Sequence, residues 1–486
     1  MLELKGFHCW TPRAGHVLHS IDLTAESGNI TALVGRSGSG GATVVRALSG
    51  TLPPGTRLTG TATLGRRRID GATSEELTGT ALWISDTALP GGTVADCLRI
   101  LTGGVAAAAE LGLLQHLDRR LTSLPIDLRL RLHCAALMPE PGADAPSLIL
   151  VDRVLGAADA ATRDRFCSLL RRRARAGATV VWAEHDLDAV WEHADVVVEL
   201  TDGNVASSTR PWQWQPSTLP EPTLLTLARA LGLPPADCRT PRHTLETMEM
   251  LRITLPLFPE RSSDGTAASG AGTIIDAEAL GLTGAPIEIR HGECVGIIDV
   301  DGRPEALARR LLHLLPGGDI IPSQLPETLR VGAAARTWEK RHQLAAGSVL
   351  ARLPMLRPGT LLVDLSPGDF AAFRSALAAG PTTPLWLSHP QAGLDPRDRH
   401  TLSEDLRRRP AGTRVVTSRD IEFLVRACHR LIVISENHVA ADGSPGAVME
   451  LLPTRPLVSR AVGSTRYLRL TDVLTSTRVE VAECNA

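Results

Sequence analysis

The sequence predicts a doubled α/β protein: two halves in tandem, each built on a largely parallel sheet. Three observations carry this. The 486 residues exceed what one ordinary hydrophobic core holds. Apolar strands alternate with helical stretches along the chain, the pattern of parallel sheets covered by helices. The same run of elements also occurs twice, in the same order and at similar spacing.

The elements pair off as follows. "IDLTAESGNITALVG", Ile21–Gly35, and "IEIRHGECVGIID", Ile287–Asp299, each read as an apolar strand, a turn with glycine, a second apolar strand and a loop. The helical stretches "VVRALSGTLPPG" and "LARRLLHLLPGG" follow them. "SLILVDRVLGAADA" and "PLWLSHPQAGLDP" are each a strand and then a turn. "GATVVWAEHDLDAV" and "GTRVVTSRDIEFLV" are each a strand and then a helix. "HADVVVELTDGNVA" and "ACHRLIVISENHVAADG" close the halves as hairpins. The Gly/Ser/Asp-rich segment "ERSSDGTAASGAG", Glu260–Gly272, reads as a flexible linker.

Composition narrows the function classes. Hydrophobic content of 43% and charged content of 21% are those of a soluble globular protein. A net charge of -2 gives no drive toward nucleic acid or an anionic surface, so no nucleic-acid partner is expected. No apolar run of about 18 residues suggests a membrane span, and "MLELKGFHCW" lacks the apolar core of a signal peptide. The eight cysteines are scattered without a CxxC pair, which argues against a disulfide framework or a zinc site. A cytoplasmic location is expected.

The chemistry should lie where a strand hands over to a helix, because free N–H groups there attract anions. "VGRSGSGGATVV", Val34–Val45, has the spacing of the phosphate loop GxxxxGK[ST], with Gly35 first and Gly40 second. Gly41 stands where the lysine belongs and Ala42 where the serine or threonine belongs. The backbone of Gly35, Arg36, Ser37, Gly38, Ser39, Gly40, Gly41, Ala42 and Thr43 can still offer N–H groups to a phosphate. It can offer neither the lysine charge nor a side-chain oxygen for Mg²⁺.

The ordered set, repeated twice, resembles the ATP-binding cassette (ABC) ATPases over nearly the whole chain. The stretch "LPEPTLLTLARALGLPPADCRTP", Leu219–Pro241, is similar to the tail of the energy-coupling factor (ECF) importer ATPases. The resemblance implies two P-loop NTPase-like cassettes. Each would have a RecA-like parallel sheet core, an antiparallel β subdomain and a helical subdomain. The expected division is 1–205 first cassette, 206–272 helical tail and linker, 273–450 second cassette and 451–486 C-terminal tail. The second helical subdomain is expected to be the smaller, because Asp299–Leu365 is shorter than Gly35–Leu124.

Residue roles follow from the same resemblance. Trp10 falls where the family stacks an aromatic on adenine. Asp86 falls where it has a glutamine that senses Mg²⁺ and water. Asp152 matches the strand-end carboxylate that steadies Mg²⁺, and His185 the switch histidine at the γ-phosphate. Arg153 replaces the glutamate that polarises water, and a cation cannot be that base. "LPIDL", Leu124–Leu128, replaces the first signature. In the second half the loop becomes "DVDGRPEAL", Asp299–Leu307, acidic and interrupted by Pro304. Ser388 and His389 take the two carboxylate positions, and Arg419 takes the histidine's. The signature "LSPGDFAAF" keeps Leu365, Ser366 and Gly368, and "AGLDP" ends its own loop at Asp395.

In the family, cassettes pack head to tail, which would join Trp10, the Gly35–Thr43 loop, Asp152 and His185 to Ser366 and Gly368. ATP is therefore expected weakly and at this site alone. Mg²⁺ is a doubtful cofactor and hydrolysis is impaired or absent. The implied partner is a transmembrane coupling protein, with a second cassette chain as a further option, and the implied place is the inner face of the cell membrane. Two alternatives stand beside this reading: a working transport ATPase that uses unusual residues such as Arg36, and an interaction scaffold without nucleotide.

Overall fold

A computed structural model describes all residues except 13, 86–88, 103, 122–123, 125, 139–145, 157, 257–271, 300–303, 322–327, 366, 409–411 and 484–486. The linker expected at Glu260–Gly272 lies outside the described residues up to 271. The chain divides into two compact units, Met1–Pro222 and Thr223–Ala486.

The first unit opens with a hairpin, β1 (Leu2–Thr11) and β2 (Gly15–Ala25), followed by β3 (Ile30–Val34) and α1 (Gly41–Ser49). Next come β4 (Arg57–Leu64), β5 (Arg67–Arg68), β6 (Ala81–Ser85), α2 (Val94–Thr102), α3 (Ala107–Glu110) and α4 (Ile126–Leu137). The unit continues through β7 (Leu148–Asp152), α5 (Ala160–Arg175), β8 (Thr179–Ala183), α6 (Leu187–His193), β9 (Val196–Thr201) and β10 (Asn204–Thr209). Two sheets result. One is four-stranded and antiparallel, ordered β2-β1-β4-β5. The other is six-stranded, ordered β10-β9-β3-β8-β7-β6, and parallel except for β10.

β3, β7 and β8 are buried at every position, as expected of parallel strands covered on both faces. Alternate side chains serve two cores. Ile149, Val151, Val180 and Trp182 pack toward α4 and α5. Leu148, Leu150, Val181 and Ala183 pack toward α1 and the antiparallel sheet.

The second unit begins with α7 (Thr223–Ala230) and α8 (Pro241–Met250). β11 (Gly272–Ile275), β12 (Ile287–Arg290), β13 (Cys294–Asp299), α9 (Pro304–Leu314), β14 (Asp319–Ile320), α10 (Val331–Arg341) and α11 (Pro367–Ala378) follow. Then come β15 (Leu385–Ser388), α12 (Pro396–Arg407), β16 (Arg414–Thr417), α13 (Ile421–Ala427), β17 (Arg430–Ser435) and β18 (His438–Gly443). The unit ends in α14 (Pro445–Met449), α15 (Leu457–Val462) and α16 (Leu470–Glu483). Its main sheet is ordered β14-β15-β16-β13-β17-β18. Position for position this is β6-β7-β8-β3-β9-β10 again, so the repeat seen in the sequence is a repeat of topology. α8 packs on α15, and α7 on α15 and α16.

The expectation of a reduced second helical subdomain is corrected. The helical stretches between β6 and β7 (86–147) and between β14 and β15 (321–384) are of similar length. What shrinks is the antiparallel sheet. β4 and β5 lie between α1 and β6, whereas β14 follows α9 after a short turn. Among the described residues the second antiparallel sheet is the pair β11-β12.

One buried cation holds the second unit's turn 378–383. Arg414, fully buried in β16, donates to the backbone carbonyls of Ala378, Pro381, Thr383 and Thr413 at 2.7–3.2 Å. With these acceptors sealed from water, losing their shared donor is costly. Arg414→Leu is expected to destabilise the second unit by roughly 3 kcal/mol or more. Urea unfolding of parent and variant measures this.

Candidate functional site

β3 delivers the chain to a loop of three constrained glycines. A Cβ at Gly35 would lie 2.3 Å from Ser39 Oγ and 2.5 Å from the Leu200 carbonyl oxygen. Gly38 and Gly40 have φ of 89° and 108°, conformations that other residues avoid. Ser39 N–H bonds the Arg36 carbonyl at 3.0 Å, and Val44 N–H bonds Gly40 at 2.9 Å to start α1. Arg36 and Gly38 are exposed, Ser37 is half-buried, and Ser39 and Gly40 are buried. Gly41, Ala42 and Thr43 form the first turn of α1, whose N–H groups have no partner within the helix. The shape of a phosphate loop is thus present without its lysine and hydroxyl. A Cβ at Gly41 would meet only ordinary contacts, the nearest being Ala183 Cβ at 3.7 Å. The absent lysine is therefore not a steric necessity.

The sheet brings the loop, Asp152 and His185 to one edge, because β3 pairs with β8 and β8 with β7, all parallel. Asp152 ends β7 opposite Ala183, and its side chain is 3% exposed. Two guanidinium groups flank it. Arg153 Nε lies 3.1 Å from Oδ1 and Arg46 Nε 3.7 Å from Oδ2. Arg46 is four residues beyond Ala42, so both sit on one face of α1. Arg46 thus reaches Asp152 from the helix face that carries the missing hydroxyl. The sequence reading missed Arg46, and helix periodicity from Ala42 is the signal that could have found it. Arg153 has φ of 48° and donates its N–H to the Ala183 carbonyl at 2.9 Å. His389 repeats this in the second unit, with φ of 43° and an N–H bond to Thr417 at 2.8 Å. The position where the resemblance expects a catalytic glutamate thus has the same backbone shape in both halves, with arginine in one and histidine in the other.

Trp10 is not an open platform. His16, its partner on β2, stacks on it at 4.2 Å between ring centroids and 9° between planes. Arg57, its partner on β4, lies 5.4 Å from the ring centroid. A base stacking on Trp10 must compete with these neighbours.

Of the other expected positions, Asp86 and Ser366 lie outside the described residues. Gly368 is buried in the first turn of α11, in the second unit. Among the described residues no group of three or more His, Cys, Asp or Glu side chains could hold a metal ion.

A second residue missed by the sequence reading is Glu184, which directly precedes His185. It is 3% exposed. Its Oε1 accepts from the N–H groups of His185 at 2.7 Å and Asp186 at 3.2 Å, and its Oε2 from Trp182 Nε1 at 3.2 Å. Burial, reinforced by Asp186, pushes its carboxyl up to about 7. The folded state therefore holds this proton more tightly than the unfolded state. The resulting stability is complete below the ordinary carboxylate range and is lost as pH rises through about 7. Glu184→Gln is expected to abolish this slope, about 3 kcal/mol between the two limits. Denaturation series at pH values on both sides of neutrality check it; an unchanged slope refutes it.

No family model matches the chain. It is 33% identical to the aliphatic sulfonates import ATP-binding protein SsuB of Mycobacterium avium, over 39% of this chain and 74% of that protein. It is 24% identical to a putative ABC transporter ATP-binding protein of Streptomyces avermitilis, over 94% of this chain and 96% of the relative. The archaeal ABCE1 structure solved as ribosome-bound Pelota and ABCE1 shares the fold, with a TM-score of 0.61 at 17% identity over 91% of this chain and 79% of that one. The repeated sheet order, the glycine loop and this similarity agree: the chain belongs to the ATP-binding proteins of ABC transporters.

Proposed function

We propose that this chain is the cassette subunit of an importer of the energy-coupling factor type. In this reading it is held at the inner face of the cell membrane by a transmembrane coupling protein. Its first cassette binds an adenine nucleotide feebly, without Mg²⁺, and does not hydrolyse it. The observation that carries the reading is the pairing of Asp152 with Arg46 and Arg153. A divalent ion at that carboxylate would sit among two fixed positive charges, with no hydroxyl from Ala42 to help hold it. The same two cations favour an unneutralised polyphosphate, and the α1 N-terminus adds its N–H groups. Arg153 cannot act as general base, a role worth roughly 10²–10⁴-fold in rate.

Transport is supported by the sulfonate-import relative. The ECF assignment rests on the tail sequence Leu219–Pro241. The docking face we assign to the partner includes α2, where Ile100 is 61% exposed, and the partner would lay a short helix beside it.

Titration of the full chain with a fluorescent ATP analogue, with Mg²⁺ and with EDTA, tests the nucleotide reading. Binding that is weak and indifferent to Mg²⁺, with phosphate release at background, is expected. Steady release of phosphate would sink it, and absence of binding in EDTA would favour the scaffold alternative. The triple change Gly41→Lys, Ala42→Ser, Arg153→Glu is expected to make binding tighter and Mg²⁺-dependent.

A further inference from the structure

The stretch between α10 and α11 carries the most exposed large apolar side chain among the described residues. Met355 is 90% exposed. Its neighbours Leu353 and Leu356 pack against the second unit's core. The backbone holds the turn as well. Gly332 N–H bonds the Pro358 carbonyl and Val331 N–H the Thr360 carbonyl, each at 2.9 Å, and the Arg330 guanidinium donates to the Gly359 carbonyl. Met355 is therefore displayed on a tethered turn. A single exposed apolar residue is ordinary; its charged surroundings here are not.

Residues 328–363 hold six cations, Arg330, Arg336, Lys340, Arg341, Arg352 and Arg357, against one acid, Glu339. Glu339 is buried and commits its carboxylate to the N–H groups of Gly347 and Val349. Arg341 is paired with Asp319. The other five cations are exposed and form no ion pair with a described residue. They gather at the turn. A Cβ placed on Gly332 would lie 3.3 Å from Arg336 Nη1 and 2.9 Å from Pro358 Cβ, so Arg336 reaches back to the turn that Arg330 holds and Arg357 enters. Lys340 follows Arg336 one turn later on the same face of α10. The chain's net charge of -2 conceals this local excess.

We infer that this turn docks on an anionic membrane surface, with Met355 inserted at the acyl boundary and Arg330, Arg336, Arg352 and Arg357 on the headgroup phosphates. The cations call for an anion, and Met355 decides its kind. A bilayer interface takes up an apolar tip, whereas a nucleic-acid backbone or a free phosphate offers it nothing. Arginine stems lie along the apolar boundary while their guanidinium groups stay at the phosphates. Each cation near such a surface strengthens binding about fivefold, and salt screens the effect. The inference needs neither the nucleotide reading nor the coupling protein, since a bare lipid surface suffices.

Sedimentation of the full chain with vesicles containing phosphatidylglycerol, and with pure phosphatidylcholine vesicles, tests this. The proteins are the parent, Met355→Ser, the double variant Arg336→Gln with Arg357→Gln, and the control Met250→Ser at another exposed methionine. Parent and control should bind the anionic vesicles only, and less at high salt. The double variant should bind about tenfold or more weakly, and Met355→Ser about fivefold or more weakly. All replaced side chains are exposed, and matching thermal midpoints establish that the variants are folded. Absence of binding to anionic vesicles, or equal binding by all four proteins, overturns the inference. So does loss in the double variant alone, with Met355→Ser binding like the parent, because that result marks a phosphate or nucleic-acid site. The vesicles contain no protein, so failure here leaves the coupling-protein proposal standing.

Discussion

A carboxylate buried at the end of a central strand needs a counter-charge, and much of the first cassette's character follows from how Asp152 obtains one. Leaving it unpaired would cost several kcal/mol, more than most single interactions return. In the arrangement the family resemblance implies, a hydrated divalent ion and a lysine share this task whenever nucleotide is present. Here the task falls to Arg153 at 3.1 Å and Arg46 at 3.7 Å, both supplied by the unit itself. The carboxylate is satisfied by the folded chain alone. Its partners come from the adjoining turn and from α1, so the pair also ties the phosphate loop's helix to the end of β7.

The two halves show how far site and fold can separate. Both main sheets have the same strand order, and both place a positive-φ residue after the strand that ends in Asp152 or Ser388. Neither feature depends on the chemistry of the side chains at the site. The fold is set by continuous apolar strands and helices that cover two faces, and the site occupies the loops at one edge. Substitution at that edge therefore leaves topology intact. Among the described residues the second half goes further: its antiparallel sheet is the pair β11-β12, whereas in the first half that layer carries Trp10 and His16.

Much of the fold was legible because its signals are local. Buried runs such as "SLILVD" and "TVVWA" announce parallel strands, and the repeat of order gave the duplication. The missing length in the second half was not legible as a place. A shorter interval says that something is absent, and only the short step from α9 to β14 says that it is strands. At the site, Gly35–Thr43, Asp152 and His185 could be located because each lies at a fixed offset from a strand end. Arg46 and Glu184 could not. Arg46 matters through helix register, one turn beyond Ala42. Glu184 matters through burial among Trp182 and two backbone N–H groups. Nor does a sequence show that the neighbours of Trp10 across two strands already lie against its ring.

These substitutions make physical sense as a set. Removing the glutamate alone would leave Asp152 with its metal; installing an arginine there without removing the metal's hydroxyl ligand would set cation against cation. In the roles the resemblance implies, Ala42 lacks the hydroxyl, Arg153 and Arg46 supply the charge at Asp152, and Gly41 omits a further cation from the loop. Space does not explain Gly41, since a side chain could be built there against Ala183 at ordinary contact distance. On the proposed reading the charge balance does: two guanidinium groups already serve Asp152, so the loop needs no lysine to neutralise it. Coupling of this kind is non-additive between neighbours. On the function proposed above, the absence of metal and the internal ion pairs are therefore one feature: the central carboxylate is satisfied by Arg46 and Arg153 of the chain itself.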